Sequence, residues 1–339
     1  MTQVTFEDLV AAHRRELLVH CYRLLGSVTD AEDVLQESLL AAWRGLDGFE
    51  GRASPRSWLY RIATNRCLNA LRDRGRRIPP EPRPPFQPPE PSRRSAVTWL
   101  QPYPDALLEH VPDTGPGPEA RHTAREAIEL AFVAALQRLT PRQAAVLVLC
   151  DVLGYPLGEV AQMLGTTPTA GKGLLQRARG ALARHREATP EAAPEAAPEP
   201  GSARERRVVT RFAEAFAADD VDALVGLLTD EAWLAMPPAP HEYHGVPAIA
   251  SFLRASAAWR AGQGLRMLLR PTRANGQPAF ACELVGGAAP RRGGLMVLTL
   301  TGDRLRGMTL FLHDIDEPES TPSDLVRSGT ARTGRSFQP

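Results

Sequence analysis

The sequence predicts a multidomain protein: two all-α units, the second built around a helix-turn-helix, followed by an α+β unit. Three observations lead there. Residues 156–182 read as an apolar-faced helix, a turn at Gly165 and a basic second helix. Residues 30–37, DAEDVLQE, form an acidic helical block, and an arginine-rich block over 50–77 follows it. From Leu265 to Leu312, short apolar runs alternate with glycine-bearing turns, the pattern of a sheet.

The first helical unit is expected over residues 5–78. Asp30, Glu32, Asp33, Gln36 and Glu37 crowd about two turns, with Thr29 as the expected cap and Glu32 completing a capping box. Trp43 follows on the same helix. The charge then changes sign: arginines 52, 56, 61, 66, 72, 74, 76 and 77 face only Glu50 and Asp73, with Trp58 and Tyr60 interleaved. Basic side chains bind phosphate, and aromatic faces stack on unpaired bases. An acidic helix repels DNA and suits a basic protein surface. For Trp58, core packing and base contact both stay open.

Prolines are dense from Ile78 to Pro118, so residues 79–124 form a linker in which neither a helix nor a central strand persists. An island at 98–110, TWLQPYPDALLEH, interrupts it. Trp99, Leu100, Tyr103, Leu107 and Leu108 are too apolar for a free spacer, and the island, Asp105 included, is expected to dock on a folded domain. A local turn at Pro102 and Pro104 with incidental packing is the alternative.

The second helical unit spans 125–187. Thr140, Pro141 and Gln143 read as a capping box with proline in the first turn. Ala144, Val146, Leu147 and 149–152 supply a buried partner helix, with Cys150 as a small core residue. Leu157, Val160, Ala161 and Leu164 then share one helical face, Gly165 ends the helix, and 166–168 restart it. Lys172, Arg177 and Arg179 lie beside Leu174, Leu175, Ala178 and Leu182, the arrangement that lays a recognition helix in the major groove. A helical hairpin with a solvated basic face is the alternative. Gly171 and Gly173 each cost a helix interior about 1 kcal/mol relative to alanine. The helix is therefore expected either to order on DNA or to have drifted from promoter reading.

An acidic Pro/Ala tether follows at 188–203. In the α+β unit, 204–316, two amphipathic helices carry Val208, Val209, Phe212, Phe216 and 224–228. A strand AWLAMPP comes next, then a helix started by Pro247 and four strands near 265–269, 279–284, 295–301 and 308–312. Gly286-Gly287, Gly293-Gly294 and Gly302-Asp303 are the expected turns. The tail, 317–339, is rich in Ser, Thr, Gly and Arg and is expected to be disordered.

These motifs together resemble a bacterial RNA polymerase sigma factor of the sigma-70 family, extracytoplasmic-function type. DAEDVLQE with Trp43 is similar to the segment that docks on core polymerase. The resemblance thus implies core binding by Asp30, Asp33, Gln36, Glu37 and Trp43. RASPRSWLYRIATNRCLNALR is similar to the segment that opens and reads the minus-ten element, implying DNA contacts by Arg56, Trp58, Tyr60, Arg61, Arg66 and Arg72. The helix-turn-helix is similar to the domain that reads the minus-thirty-five element, implying contacts by Lys172, Arg177 and Arg179. Asn69 stands where the family often has an acid. Residues 204–316, with MPPAPHEYHG at 236–245, resemble a SnoaL-like cone. The implied architecture is two all-α sigma domains plus an α+β SnoaL-like domain, with core RNA polymerase and promoter DNA as partners. Trp99, Leu100, Tyr103 and Asp105 would form a regulatory linker through which the cone acts in cis.

Composition bounds the remainder. Net charge is +1 over 339 residues, so DNA affinity must come from local basic surfaces. Cysteines 21, 67, 150 and 282 show no paired spacing, so reduced thiols are expected and no metal site or cofactor. No apolar run approaches a membrane span, and a cytoplasmic protein without a membrane partner is expected. The cone could hold a small-molecule ligand; His241, Tyr243, His244, Cys282, His313 and Asp314 are its candidate polar groups. No spacing among them demands catalysis. The rival readings are a ligand-sensing helix-turn-helix regulator and a SnoaL-type enzyme with vestigial DNA-binding domains. The acidic and arginine-aromatic blocks have no use in the first.

Overall fold

The structure, a computed structural model, describes residues 6–51, 53–74, 84–94, 100–108, 128–187, 196–237, 239–287 and 290–312. Its N-terminal part is a three-helix bundle of α1 (Phe6–Leu25), α2 (Val28–Arg44) and α3 (Pro55–Arg74). Gly26 at φ 70° ends α1, so the chain re-enters a helix at Val28. Ser27, not Thr29, is therefore the cap: its Oγ accepts from Asp30 N–H at 3.2 Å.

Among the described residues four helices follow the linker: α4 (Leu130–Leu136), α5 (Pro141–Leu147), α6 (Leu157–Met163) and α7 (Pro168–Glu187). The capping box stands as read, with Gln143 Oε1 accepting from Thr140 N–H at 3.1 Å. A widened turn, Val148–Val152, extends α5. The recognition helix α7 is continuous through both glycines, against the expectation of partial order. Gly171 faces α6, where a Cβ would lie 3.4 Å from Leu157 Cδ1 and 3.8 Å from Ala161 Cβ. The missing side chain is thus used for helix–helix approach, and packing offsets the propensity cost.

The cone opens with α8 (Ala203–Ala217) and α9 (Val221–Gly226) and includes α10 (Val246–Gly262). Its strands are β2 (Leu228–Ala235), β3 (His241–His244), β4 (Arg266–Ala274), β5 (Gln277–Val285), β6 (Arg291–Thr301) and β7 (Arg304–Phe311). A two-residue strand of the linker, β1 (Arg93–Arg94), joins the edge, giving the order β1-β3-β2-β7-β6-β5-β4. Only β2 and β7 are parallel. Prolines stand just before β1 at 89 and 91, and an edge position tolerates this because half its backbone needs no ladder partner.

One expected turn changes place, and one hairpin turn was not anticipated. Gly293-Gly294 lies inside β6, at a register shift opposite Cys282 and Glu283, where a Cβ on Gly294 would run into the Phe311 carbonyl. The β4–β5 hairpin turns at Asn275 and Gly276, both at positive φ (57° and 71°). One apolar core runs through both helical bundles and takes in Tyr103 of the linker with Ala274, Ala279, Val297 and Phe311 of the sheet. A second fills the cone around Phe212, Tyr243, Phe252 and Phe280.

Candidate functional site

α2 presents one outward face. Asp33, Gln36 and Glu37 are exposed, Asp30 is half-buried, and Leu40 and Trp43 continue the same helical face at 54% and 61% exposure. An acidic row running into exposed apolar side chains is an unusual surface to leave in water. Glu37 Oε2 reaches Arg66 Nη1 of α3 at 3.5 Å, across the surface.

The arginine-aromatic block of α3 divides in two. Arg61, Arg66 and Arg72 are exposed, Arg72 beside Asp73 at 3.4 Å. Arg56, Trp58 and Tyr60, expected to meet DNA, point inward. Arg56 donates to Glu16 of α1 at 2.7 Å and to Tyr155 Oη at 3.1 Å, and its guanidinium lies 4.8 Å from the Tyr60 ring centre. Tyr60 is fully buried and donates to Glu16 Oε2 at 3.2 Å; Trp58 packs on Phe49 at 4.9 Å. A side chain enclosed in this way presents no face to a base in this arrangement.

Glu16 organises that cluster and was missed in the sequence, where it reads as one more polar residue of α1. Burial alone would raise its carboxyl pKa, but hydrogen bonds from Arg56 and His13 outweigh burial and leave it lowered. Burial likewise acts first on Arg56, yet Glu16 holds its guanidinium above the ordinary arginine range. Arg56 also bridges the helical units, as does Asn65, whose Nδ2 donates to Met163 C=O at 3.1 Å.

On α7, Lys172 and Arg177 are exposed, whereas Arg179 is paired with Asp151 at 2.6 Å and 2.9 Å. Arg177 folds back over Gly173, its Nη1 3.2 Å from where a Cβ would stand.

The linker island docks. Trp99 lies outside the described residues; Leu100 and Tyr103 are buried. Tyr103 N–H donates to Asn275 Oδ1 at 2.7 Å, and Asn275 N–H to Tyr103 C=O at 2.8 Å. Asn275 Nδ2 donates to Tyr22 Oη of α1 at 2.8 Å and to Ile128 C=O at 2.7 Å. Asp105 Oδ1 accepts from Gly276 N–H at 2.8 Å, and Gln101 N–H donates to Gly26 C=O at 2.7 Å. Linker, first bundle and cone thus meet at one hairpin tip. The clasp was missed at its Asn275 end, although Asn-Gly between two apolar runs is a strong hairpin signal.

The cone's candidate polar groups serve the linker. Tyr243 Oη donates to Pro89 C=O at 2.8 Å, and His244 N–H to Ser92 Oγ at 3.0 Å. His244 Nε2 and Arg93 Nε contact Glu242 at 3.0 Å and 2.5 Å, and His241 pairs in register with Arg94. His313 and Asp314 lie outside the described residues. Cys282 lines the cone's apolar cavity, its thiol pushed up to about 12 chiefly by burial. Among the described residues no cluster of His, Cys, Asp or Glu suits a metal ion, and no helix is long and apolar enough to cross a membrane.

The family comparisons follow the same division. Residues 9–77 match Sigma-70 region 2, 129–182 match Sigma-70 region 4, and 209–312 match the SnoaL-like domain. The chain is 43% identical over 303 residues to the ECF RNA polymerase sigma factor SigG of Mycobacterium tuberculosis, covering 88% of this chain and 79% of that one. This chain belongs to the ECF sigma factors of RNA polymerase. It is also 31% identical over 333 residues to SigJ of the same organism, covering 96% of each. The crystal structure of SigJ shares the fold, with a TM-score of 0.57 over 91% of this chain and 96% of that one, at 23% identity. As an ECF sigma factor with a SnoaL-like extension, the protein works in transcription initiation with core RNA polymerase and promoter DNA.

Proposed function

We propose that the outward face of α2 is where this sigma factor meets core polymerase, and that the clasped cone controls that meeting in cis. Asp30, Asp33, Gln36 and Glu37 supply charge for a basic partner, and Leu40 and Trp43 supply apolar area to bury. The 61% exposure of Trp43 beside those acids carries the reading, since large aromatic side chains anchor interfaces. Arg61, Arg66 and Arg72, with Lys172 and Arg177, bind promoter phosphate. Arg56, Trp58, Tyr60 and Arg179 reach DNA only where the Glu16 and Asp151 pairs open. The cone acts without catalysis, in the cytoplasm with the polymerase. Tethered to its target, it works at an effective concentration of roughly millimolar. The functional units are taken as 5–78, 125–187 and 204–316, joined by linkers.

The test is capture of core polymerase by the full chain. Asp33→Lys with Glu37→Lys should abolish capture while the folded state persists; undiminished capture would remove the α2 assignment. Asn275→Gly, which opens the clasp, should change promoter-specific transcription in either direction. Equal transcription would remove control by the cone.

A further inference from the structure

The cone contains a cavity that none of the contacts above uses. Its walls are apolar, with Phe216, Met236, Phe252, Met267 and Met296 among them. Thioethers let such a wall adapt to differently shaped occupants. Phe86, from the linker between the two helical units, forms part of its wall with Pro84 and Pro85. The Phe86 ring lies 5.6 Å from Phe252 and stacks at 6.0 Å on Trp259. About 50 Å³ of space remains between these walls.

Among the described lining residues the polar side chains are Ser256, Arg260 and the Cys282 thiol, and Arg260 is the charged one. Arg260 is 3% exposed; its Nη1 donates to Ser256 Oγ at 2.8 Å, its Nη2 pairs with Asp219, and its plane lies over Phe216. Among the described residues its Nε has no hydrogen-bond partner. A buried donor left unmade is costly, and an apolar wall cannot satisfy it. An oxygen delivered by a ligand can.

We infer that this cavity binds an apolar small molecule carrying one acceptor oxygen, a ketone or carboxylate, and that Phe86 is its built-in competitor. The oxygen accepts a hydrogen bond from Arg260 Nε–H, and the apolar body takes the place of the Phe86 ring. Ligand and Phe86 exclude one another, so occupation releases the linker segment 84–94. By linkage, whatever pulls that segment away strengthens ligand binding. The inference rests on reading the cone as a cis regulator only for its consequence, not for the binding itself.

Three shape-matched probes test it by calorimetry on the full-length protein: butyrophenone, 4-phenylbutanoate and butylbenzene, which has no oxygen. Phe86→Ala should tighten the oxygen-bearing probes about tenfold, the factor by which a mostly plugged site weakens its ligand. In that variant at least one of them should bind roughly tenfold more tightly than butylbenzene, and Arg260→Lys should erase the difference. The better of the two shows whether the acceptor is neutral or charged. In the unmutated protein, saturating probe should speed amide exchange across 84–94. Equal binding of all three probes overturns the role of Arg260, whether or not the lysine variant folds. Unchanged affinity in Phe86→Ala, or unchanged exchange at 84–94, overturns the plug. No binding to Phe86→Ala at millimolar probe overturns the site. Transcription is not read, so failure here and failure of cis control are separate results.

Discussion

Tyr103 and Asn275, 172 residues apart, exchange two hydrogen bonds: the Tyr103 amide to Asn275 Oδ1 at 2.7 Å, and the Asn275 amide to the Tyr103 carbonyl at 2.8 Å. Both residues are fully buried. The Asn275 backbone at φ 57° is one that glycine adopts freely. Asn275→Gly therefore keeps the turn and removes only the side-chain bonds. It should cost about 2–4 kcal/mol, because buried partners on Tyr103 and Ile128 are left unmet. Asn275→Ala should cost about 1 kcal/mol more for the left-handed backbone. Urea unfolding measures both, and an unshifted midpoint for the glycine variant would mean that burial alone holds Tyr103.

Arg56 and Arg61 are five residues apart on α3, on different faces of the helix, and should fail differently. Arg56→Ala strands the buried Glu16 carboxylate and should cost about 3 kcal/mol of stability. Below its melting range it should leave the salt dependence of promoter binding unchanged. Arg61→Ala should barely alter stability, yet lower the salt slope by about one. Fluorescence anisotropy across a salt series separates them; a lowered slope for Arg56→Ala would place Arg56 on phosphate.

Gly171→Ala adds a methyl group at ordinary contact distance from Leu157, so helix propensity should dominate. A gain of about 0.5–1 kcal/mol is expected. Gly171→Leu should overpack the α6–α7 crossing and lose about 1–3 kcal/mol. Thermal melts check the opposite signs, and two losses would mean that the crossing has no slack.

His20 sets a pH dependence. Its ring is fully buried against Tyr60 and hydrogen-bonds Thr64 Oγ1 at 2.8 Å. Burial first, then Arg23 and Arg56, lower its pKa from 6.5 to about 3. Between those values the unfolded chain binds the extra proton, so stability rises with pH in that window and falls as pH drops below 6.5. From pH 7 to pH 5 the loss from this residue is about 2 kcal/mol. His20→Gln should flatten that part of the profile in pH-dependent denaturant melts. An unchanged slope would assign it elsewhere.

Local chemistry was legible in the sequence. The Thr140–Gln143 box, the Gly165 break and the strand runs each follow from neighbours a few residues apart. Pairings across the chain were not. Arg56 and Arg61 have the same side chain in the same block, and only Glu16, forty residues upstream of Arg56, decides that one turns inward. Arg179 is withdrawn by Asp151 in the same way. Thr29 with Glu32 has the spacing of a capping box, and Ser27 becomes the cap because Gly26 ends α1. Gly293-Gly294 was read as a turn because glycine pairs mark turns and bulges alike.

The linker is claimed by a sheet that the ribosome makes much later. β1 and Phe86 leave the exit tunnel with the first bundle, while β3 and α10, which receive them, follow later and the sheet is complete only at Phe311, more than 200 residues on. At 5–20 residues per second, that interval lasts roughly ten to forty seconds. Every newly made molecule therefore passes through a period with its α2 face complete and its linker unclaimed. A nascent chain that meets polymerase in that period has no clasp to open, whereas a finished one has. Age since synthesis thus becomes a variable in its activity.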